Sequence, residues 1–348
     1  MAGVGGGPQC VSVELRDAER AIKALKSLSL MARDYKPVRL GGRLLIPVVD
    51  SSEAVEHLAT IGIGVEGCEA SFPLRKKPRR LRELGFHGVS GYSLVGDIAV
   101  FSRRLGGPPL EVYREAAQAL LDENRGVRSA YLKEYTGGDY RVQSLVHLAG
   151  EERTTTVHKE YGLEFEVDIA RVYFNPRLAG EHRAIADSIG EGEKVLDMFS
   201  GVGGFSIHAA SLRRVWVVAN DLNPHAAMLA ARNARRNRRR LKGVVAVMRS
   251  DASKLPAILR PVFNTIIMNH PTASRNFAVH ACRLTAGKSR IIYYTLSTSC
   301  HDARDEAFTV FNHRCCGAVE VGWCKNVVDY SPSMSVYRVE VGVKGAKL

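Results

Sequence analysis

The chain has 348 residues, of which 45% are hydrophobic, and 49 Lys and Arg against 36 Asp and Glu give it a formal net charge of +13. This length favours two or three domains, the apolar fraction excludes global disorder, and no apolar run approaches the roughly 20 residues of a membrane span. The Gly-rich start shows neither the basic nor the apolar region of a secretory signal, so we expect a cytoplasmic protein.

The first predicted block, residues 1–72, reads as a small amino-terminal α/β domain. The strand-like VSVEL precedes an amphipathic helix from about Asp17 to Leu30, and RLLIPV with the preceding Arg39 predicts a hairpin.

A basic, Pro-containing linker is predicted over residues 73–82. Clustered Arg and Lys neutralise phosphates, so this run and a second one over 232–242 favour a nucleic-acid partner over a merely solvated surface. The candidate RNA-binding residues of the linker are Arg75, Lys76, Lys77, Arg79, Arg80 and Arg82.

The second block, residues 83–185, predicts an α+β RNA-binding domain. SLVGDIAVF carries a Gly-Asp turn signal between two strand-like runs, and a Pro-started helix covers 109–121. Four strands follow in SAYLKEY, DYRVQSLVHLAG, TTTVHKEYG and LEFEVDIARVYFN.

The third block, residues 186–348, alternates short apolar strands with helical stretches, which is typical of a parallel sheet covered by helices on both faces. Its strands are KVLDMF, VWVVAND, VVAVM, NTIIMN and RIIYYTL, and AVEVGWCKNV and MSVYRVEVGV predict a closing antiparallel pair.

Polar groups end four consecutive strands of this block, at the sheet edge where open α/β sheets bind ligands. Asp197 ends the first, and Gly201 and Gly203 then allow a close backbone approach before a helix. Asp221 ends the second, where a carboxylate can accept both hydroxyls of an adenosine ribose. Asp251-Ala252, placed to reach the adenine amino group, and Asn269-His270-Pro271 follow the other two. The D-x-x-x-G-x-G pattern resembles that of the class I S-adenosylmethionine methyltransferases more than the G-x-G-x-x-G pattern of nicotinamide dehydrogenases. A non-catalytic relic of such a fold is a further alternative.

Seven cysteines at irregular spacing make a disulfide framework an unfavoured interpretation, and no CxxC pair indicates zinc. Cys315-Cys316 after His313 is better explained by ordinary buried thiols than by a metal site, and we expect no metal ion.

Several longer runs resemble the archaeal/eukaryotic-type tRNA guanine-37 N1-methyltransferases. They are VYFNPRLAGEHRAIA, LDMFSGVGGFSI, NDLNPHA, MNHP and DYSPS, with ARDYKPVRLGGRLLIPV, SLVGDIAVF and YRVQSLVHLAGE in the amino-terminal half. The resemblance implies a class I Rossmann-like methyltransferase sheet with two smaller amino-terminal α+β domains, and S-adenosylmethionine as cofactor. It also implies tRNA as partner, with contacts to the anticodon stem-loop and to the elbow, and it implies that the domain 1–72 contacts tRNA. We further expect a monomer.

The resemblance assigns roles to single residues. Glu181 matches the general base that takes the proton from guanine N1, and Arg141 matches a residue that stabilises negative charge on O6, in accord with general base and electrostatic catalysis. The residues that match the target-base pocket are Tyr173, Asn269 and Pro271. The residues that match cofactor contacts are His182, Asp221, Leu222, Asp251 and Ala252. The predicted cofactor site also includes Asn269, Asp197, Gly201 and Gly203.

Each assignment has a structural alternative on pattern alone. Glu181 could complement the dipole of a helix beginning near Arg177, Arg141 could contact a phosphate, Tyr173 could be a core residue, and His182 could lie on a helix surface. His270 departs from the family pattern, where an apolar residue precedes the proline.

Three further functions remain open. The sister enzyme of wybutosine synthesis transfers an aminocarboxypropyl group with the same fold, and a bifunctional member could also methylate a tricyclic wyosine intermediate. The alternative of another class is a non-catalytic RNA-binding module. The run Asn175–Glu181 resembles the methyltransferase version, and this favours methylation.

Overall fold

The computed structural model describes residues 7–74, 79–89, 91–103, 106–137, 142–313, 315 and 317–345. The chain forms two compact units, Met1–Arg79 and Arg80–Leu348. Within the described ranges, no helix combines the length and apolar character needed to cross a membrane.

The first unit is a four-stranded sheet in the order β2-β3-β1-β4 with two helices. The predicted helix forms because its apolar positions recur at helical spacing and bury Ala21 and Leu25. Asp50 caps the second helix by accepting the Glu53 N–H at 3.0 Å. The elements are β1 Gln9–Glu14, α1 Ala18–Ser27, β2 Val38–Leu40, β3 Arg43–Val48, α2 Ser51–Thr60 and β4 Val65–Cys68.

The second unit opens with a four-stranded sheet in chain order, β5-β6-β7-β8, covered by one long helix. Gly96 makes the predicted tight turn with φ +57°, and a Cβ there would lie 2.2 Å from Thr156 Oγ1 of the next hairpin. The elements are β5 Tyr92–Val95, β6 Ile98–Ser102, α3 Leu110–Glu123, β7 Ser129–Gly137, β8 Val142–Gly150, β9 Thr155–Glu160 and β10 Leu163–Asp168.

The prediction of one continuous strand through LEFEVDIARVYFN is wrong, since β10 ends at Asp168. The Asp168 carboxylate accepts the Ala170 N–H, and its carbonyl accepts those of Arg171 and Val172, so a turn replaces the strand. The chain then enters a 3-10 turn over Pro176–Leu178 and the helix α4, Ala179–Ser188.

A seven-stranded sheet in the order β13-β12-β11-β14-β15-β17-β16 forms the core of the second unit. Its first five strands run parallel and the last two add an antiparallel pair, which confirms the predicted class I methyltransferase sheet. Tyr294 packs on the face covered by α4, while Tyr293 packs against Phe311 on the other face. The remaining elements are β11 Lys194–Asp197, α5 Gly204–Leu212, β12 Trp216–Asp221, α6 Pro224–Arg236, β13 Val244–Arg249, α7 Leu255–Ile258, β14 Phe263–Met268, α8 Ala278–Cys282, β15 Thr285–Ser297, α9 Cys300–Asn312, β16 Gly317–Asp329 and β17 Ser335–Gly345.

The expectation against disulfides is also wrong. Antiparallel pairing of β1 with β4 sets Cys10 opposite Cys68, and these two form a disulfide with a Cα–Cα distance of 4.9 Å. Spacing along the chain could not reveal such pairs, because tertiary contacts bring their members together. The other disulfides are Cys282–Cys315 and Cys300–Cys324; Cys316 lies outside the described residues.

Candidate functional site

The glycine turn after β11 is built as the sequence predicts. Gly201 and Gly203 have φ values of +54° and +93°, which residues with a side chain rarely adopt. A Cβ on Gly201 would find its nearest atom, the Tyr173 carbonyl oxygen, 3.8 Å away. The turn therefore presents backbone to open space just before α5 begins at Gly204.

The acid after β12 is held against this turn. Asp221 accepts the Gly201 N–H at 2.8 Å with Oδ2 and the Asn223 N–H at 2.9 Å with Oδ1. Burial raises its pKa although these backbone donors oppose the shift. Each carboxylate oxygen retains a lone pair, so Asp221 can accept ribose hydroxyls as predicted, beside Leu222, which is 44% exposed.

Asn220 ties the strand ends together, and the sequence analysis missed it. Its side-chain amide donates to the carbonyls of Met198 and Ser250, both at 3.1 Å, so this residue of β12 joins the loops after β11 and β13. The loop after β13 is ordered by Asp251, whose carboxylate accepts the Ser253 N–H and hydroxyl at 2.8 Å. These bonds, the backbone one first, lower the pKa of Asp251.

The turn after β14 places Asn269 at the same edge. The Ser274 hydroxyl donates to the Met268 carbonyl at 2.8 Å, and the His270 carbonyl accepts the Ala273 and Ser274 N–H groups. His270 packs edge-on against Phe199 with ring centroids 5.2 Å apart. The histidine thus fills an apolar contact within the Asn269-His270-Pro271 turn.

Asp197 differs from the other strand-end residues because it is completely buried. The Ser206 hydroxyl of α5 donates to its Oδ2 at 2.8 Å, while Oδ1 has no hydrogen-bond partner among the described residues. Burial raises the pKa of Asp197 to about 7, and the nearby Asp221 adds to the shift. The Asp197 side chain thus joins the end of β11 to α5, and its cofactor contact stays a prediction.

His182 lies in a buried cluster rather than on a helix surface. Its Nδ1 and His208 Nε2 both bond to Glu160 Oε2, at 2.8 and 3.0 Å. Burial would raise the pKa of Glu160, but the hydrogen bonds from the two histidines outweigh it and lower the pKa to about 2. His182 also packs against the first residue of α5, since a Cβ on Gly204 would lie 2.6 Å from its Cε1.

The same three residues bring metal-ligand atoms within 4.8 Å of one another. A metal-bound histidine normally donates its second N–H to an acceptor, yet His208 Nδ1 has no such partner within the described part of the chain. Burial lowers the pKa of His208, which favours a neutral ring that donates through Nε2. The cluster is therefore better described as a buried carboxylate, Glu160, that accepts hydrogen bonds from His182 and His208 than as a metal centre.

Glu181 is buried and receives three donors, none of which the sequence analysis named. Tyr294 Oη and Arg338 Nη1 donate to Oε1 at 2.9 and 2.6 Å, and Lys325 Nζ lies 3.3 Å from Oε2. The register explains this convergence, because Tyr294, Arg338 and Lys325 lie directly opposite one another on β15, β17 and β16. Met268 pairs with Tyr293, so Asn269 and Tyr294 follow at the next level of the sheet.

The other predicted residues separate into three groups. Tyr173 is 38% exposed near the glycine turn, which rules out a core position. The described linker arginines, Arg79, Arg80 and Arg82, are exposed. Arg141, Arg75, Lys76 and Lys77 lie outside the described residues.

The edge suits an adenosine-containing cofactor. It combines positive-φ glycines at a helix start, a ribose-competent Asp221 and the ordered Asp251 loop, and Gly201 faces space that the protein leaves open. The signal that could have revealed Arg338 is the pair of charges, Arg338 and Glu340, in the otherwise apolar run VYRVEV. Glu160 and His208 gave no such signal, since only tertiary contact with His182 unites them.

Comparison with known proteins agrees with this geometry. The TRM5/TYW2 methyltransferase domain family matches residues 156–316, and the tRNA methyltransferase 5 N-terminal domain family matches residues 10–56. The chain is 30% identical over 322 residues to tRNA (guanine(37)-N(1))-methyltransferase Trm5b of Methanocaldococcus jannaschii, covering 88% of this chain and 91% of that protein. It is 32% identical over 291 residues to the Pyrococcus abyssi protein of the same name, covering 82% and 83%.

Among solved structures, the complex of aTrm5 with tRNALeu is similar to this fold. Its TM-score is 0.66 at 27% sequence identity, and the match covers 97% of this chain and all of that one. The likeness thus extends over both compact units.

Proposed function

The chain belongs to the tRNA (guanine(37)-N1)-methyltransferase family, and we propose that it transfers a methyl group from S-adenosylmethionine to N1 of guanosine 37 in tRNA. The observation that carries this function is similarity to Trm5b over 91% of that protein's length. The enzyme is a methyltransferase, its cofactor is S-adenosylmethionine and its substrate is tRNA.

The cofactor supplies a methyl group on a sulfonium, and the sheet edge supplies its binding groups. In this proposal Asp221 accepts the ribose hydroxyls, Asp251 and Ala252 contact the adenine, and Gly201 and Gly203 let the backbone approach. The Asp221 contact with the Gly201 N–H supports this arrangement. Asn269, at the end of β14, would contact both cofactor and target base.

Glu181 acts as the general base in this mechanism. Guanine N1 carries a proton and is a poor nucleophile until that proton leaves. Arg338 and Tyr294 orient the carboxylate of Glu181 through their hydrogen bonds to Oε1. We assign Tyr173 and Pro271 to the walls of the base pocket and Arg141 to the stabilisation of O6.

Nucleoside mass spectrometry of treated tRNA tests this function. Unmodified tRNA incubated with the protein and S-adenosylmethionine should yield 1-methylguanosine, and Glu181→Gln should lower the single-turnover rate while tRNA affinity stays within about twofold. Full activity of Glu181→Gln would contradict the general-base assignment.

Labelled cofactor separates the alternatives. Label that reaches tRNA from the methyl position supports methylation, whereas label that reaches it only from the carboxyl carbon identifies an aminocarboxypropyl transferase. A second methylated wyosine product would identify a bifunctional enzyme. The absence of any transfer would leave an RNA-binding module.

We also propose that the exposed arginines near residue 80 bind tRNA phosphates, that the segment 83–185 forms a distinct RNA-binding domain, and that the enzyme works as a cytoplasmic monomer. Support for the first comes from the exposure of Arg79, Arg80 and Arg82.

A further inference from the structure

The two oxygens of Glu181 have different surroundings. Oε1 accepts two hydrogen bonds from groups that are themselves fixed: Tyr294 is fully buried in β15, and the Arg338 side chain is only 6% exposed. Arg338 is held further by Glu340, 3.7 Å away, and by the Trp323 ring, whose centroid lies 4.7 Å from the guanidinium carbon. Oε1 is therefore occupied by fixed donors.

Oε2 faces a different kind of donor. Its described contact is Lys325 Nζ at 3.3 Å, and the Lys325 side chain is 43% exposed. A lysine has three rotatable donors on a flexible stem, so this ammonium can exchange partners without disturbing the fold. Because the Glu181 side chain is itself only 3% exposed, an entering N–H group can reach Oε2 once this ammonium has moved aside.

Guanine presents N1–H and O6 side by side on its Watson–Crick edge. When N1–H donates to Glu181 Oε2, O6 comes near the ammonium that previously contacted the same oxygen. Loss of the N1 proton places negative charge on O6, and a cation already at that position stabilises it without reorganisation.

We propose that Lys325 is a further catalytic residue, which moves from Glu181 Oε2 to guanine O6 and balances the charge that forms there. The inference rests on the proposed function. In the step, the N1–H bond breaks to Glu181, the N1–CH3 bond forms, and the electrons of the broken S–CH3 bond remain on the neutral thioether sulfur. Lys325 keeps its proton throughout, and it complements rather than replaces the predicted role of Arg141.

The chain offers a matched set of variants. Lys325→Ala removes the cation, Lys325→Arg keeps it, and Lys288→Ala serves as control because Lys288 is exposed at the opposite end of β15 from Tyr294. We expect Lys325→Ala to lower the single-turnover methylation rate by about 10²-fold, as for loss of one charge-stabilising donor. Lys325→Arg should retain most of the rate, Lys288→Ala all of it, and tRNA and cofactor dissociation constants should stay within about threefold.

Chemical rescue separates a charge at O6 from a structural role. Added methylammonium should accelerate Lys325→Ala, whereas potassium chloride at equal ionic strength should not. An unchanged rate in Lys325→Ala overturns the inference, as does a loss that neither Lys325→Arg nor methylammonium repairs. If the wild-type protein forms no 1-methylguanosine, the proposed function itself fails; if the wild type is active and only the Lys325 results disagree, the inference alone is wrong.

Discussion

Two buried carboxylates of the second unit have pKa values shifted in opposite directions. Burial raises the pKa of Asp197 to about 7, although the Ser206 hydroxyl donates to its carboxylate. Glu160 accepts N–H groups from two histidines, and these outweigh burial and lower its pKa to about 2. The two side chains therefore affect folding stability with opposite signs as pH changes.

Relative to the wild type, Asp197→Asn should have a more favourable free energy of unfolding at pH 8 than at pH 4. The unfolded Asp197 loses its proton near pH 4 but the folded one keeps it until about pH 7, so wild-type stability falls as pH rises between these values. A shift from 3.8 to about 7 corresponds to a cost on the order of 4 kcal/mol above pH 7. Denaturant unfolding of both proteins across this range measures it. A stability difference that does not change with pH would contradict the raised pKa.

Glu160→Gln should destabilise the protein at pH 7, and the deficit should shrink as the solution is acidified below about pH 4.5. Folded Glu160 stays ionised down to about pH 2, whereas the unfolded residue protonates near 4.5, so its contribution is present above 4.5 and is lost between these values. Unfolding curves at pH 7, 4 and 3 would show this trend. An equal deficit at every pH would mean that packing, not charge, gives Glu160 its effect.

At the scale of elements, helix α4 packs closely against the first residue of α5, the helix that follows the glycine turn. His182 of α4 packs so closely on Gly204 that an added Cβ would lie 2.6 Å from its ring. Gly204→Ala should displace the ring from Glu160 and lower the free energy of unfolding by about 1–3 kcal/mol, as for overpacking.

A double-mutant cycle tests this contact specifically. The penalty of Gly204→Ala should largely disappear in a His182→Ala background, because the clash is then gone. Gly287→Ala is the control, since among the described residues no atom beyond its own chain neighbours lies within 4 Å of a Cβ there. Additive effects of the Gly204 and His182 substitutions would show that the ring does not restrict this position.

The elements themselves were largely predictable, because short apolar strands that end in polar residues identify a parallel sheet and its ligand edge. Gly201, Asp221 and Asn269 were found in this way. The partners of Glu181 were not, because Lys325 and Arg338 lie 144 and 157 residues further along the chain and meet it only through the register of β16 and β17. The residue pattern along one strand predicts neither its register with neighbouring strands nor which distant residues contact it.

For the molecule as a whole, three disulfides close loops with sequence separations of 58, 33 and 24 residues. Each should contribute about 2–4 kcal/mol, with the greatest effect for the longest loop in the chain-entropy account. Reduction should lower the melting temperature. A thiol titration of the unfolded, unreduced protein should detect one free thiol. Seven thiols before reduction would contradict the disulfides.

The net charge of +13 makes tRNA affinity dependent on salt concentration. The part of this dependence that comes from the arginines near residue 80 can be measured. Arg80 and Arg82 are exposed, so the Arg80→Gln/Arg82→Gln double variant should bind tRNA more weakly. Its log K against log salt should be shallower by about 0.7–0.9 for each lost phosphate contact. Arg260→Gln/Arg283→Gln removes equal charge from two other exposed positions and should leave the slope near that of the wild type. Equal slopes for all three proteins would place the phosphate contacts elsewhere, whereas equal losses in both double variants would show that affinity follows net charge rather than a defined tRNA-binding surface.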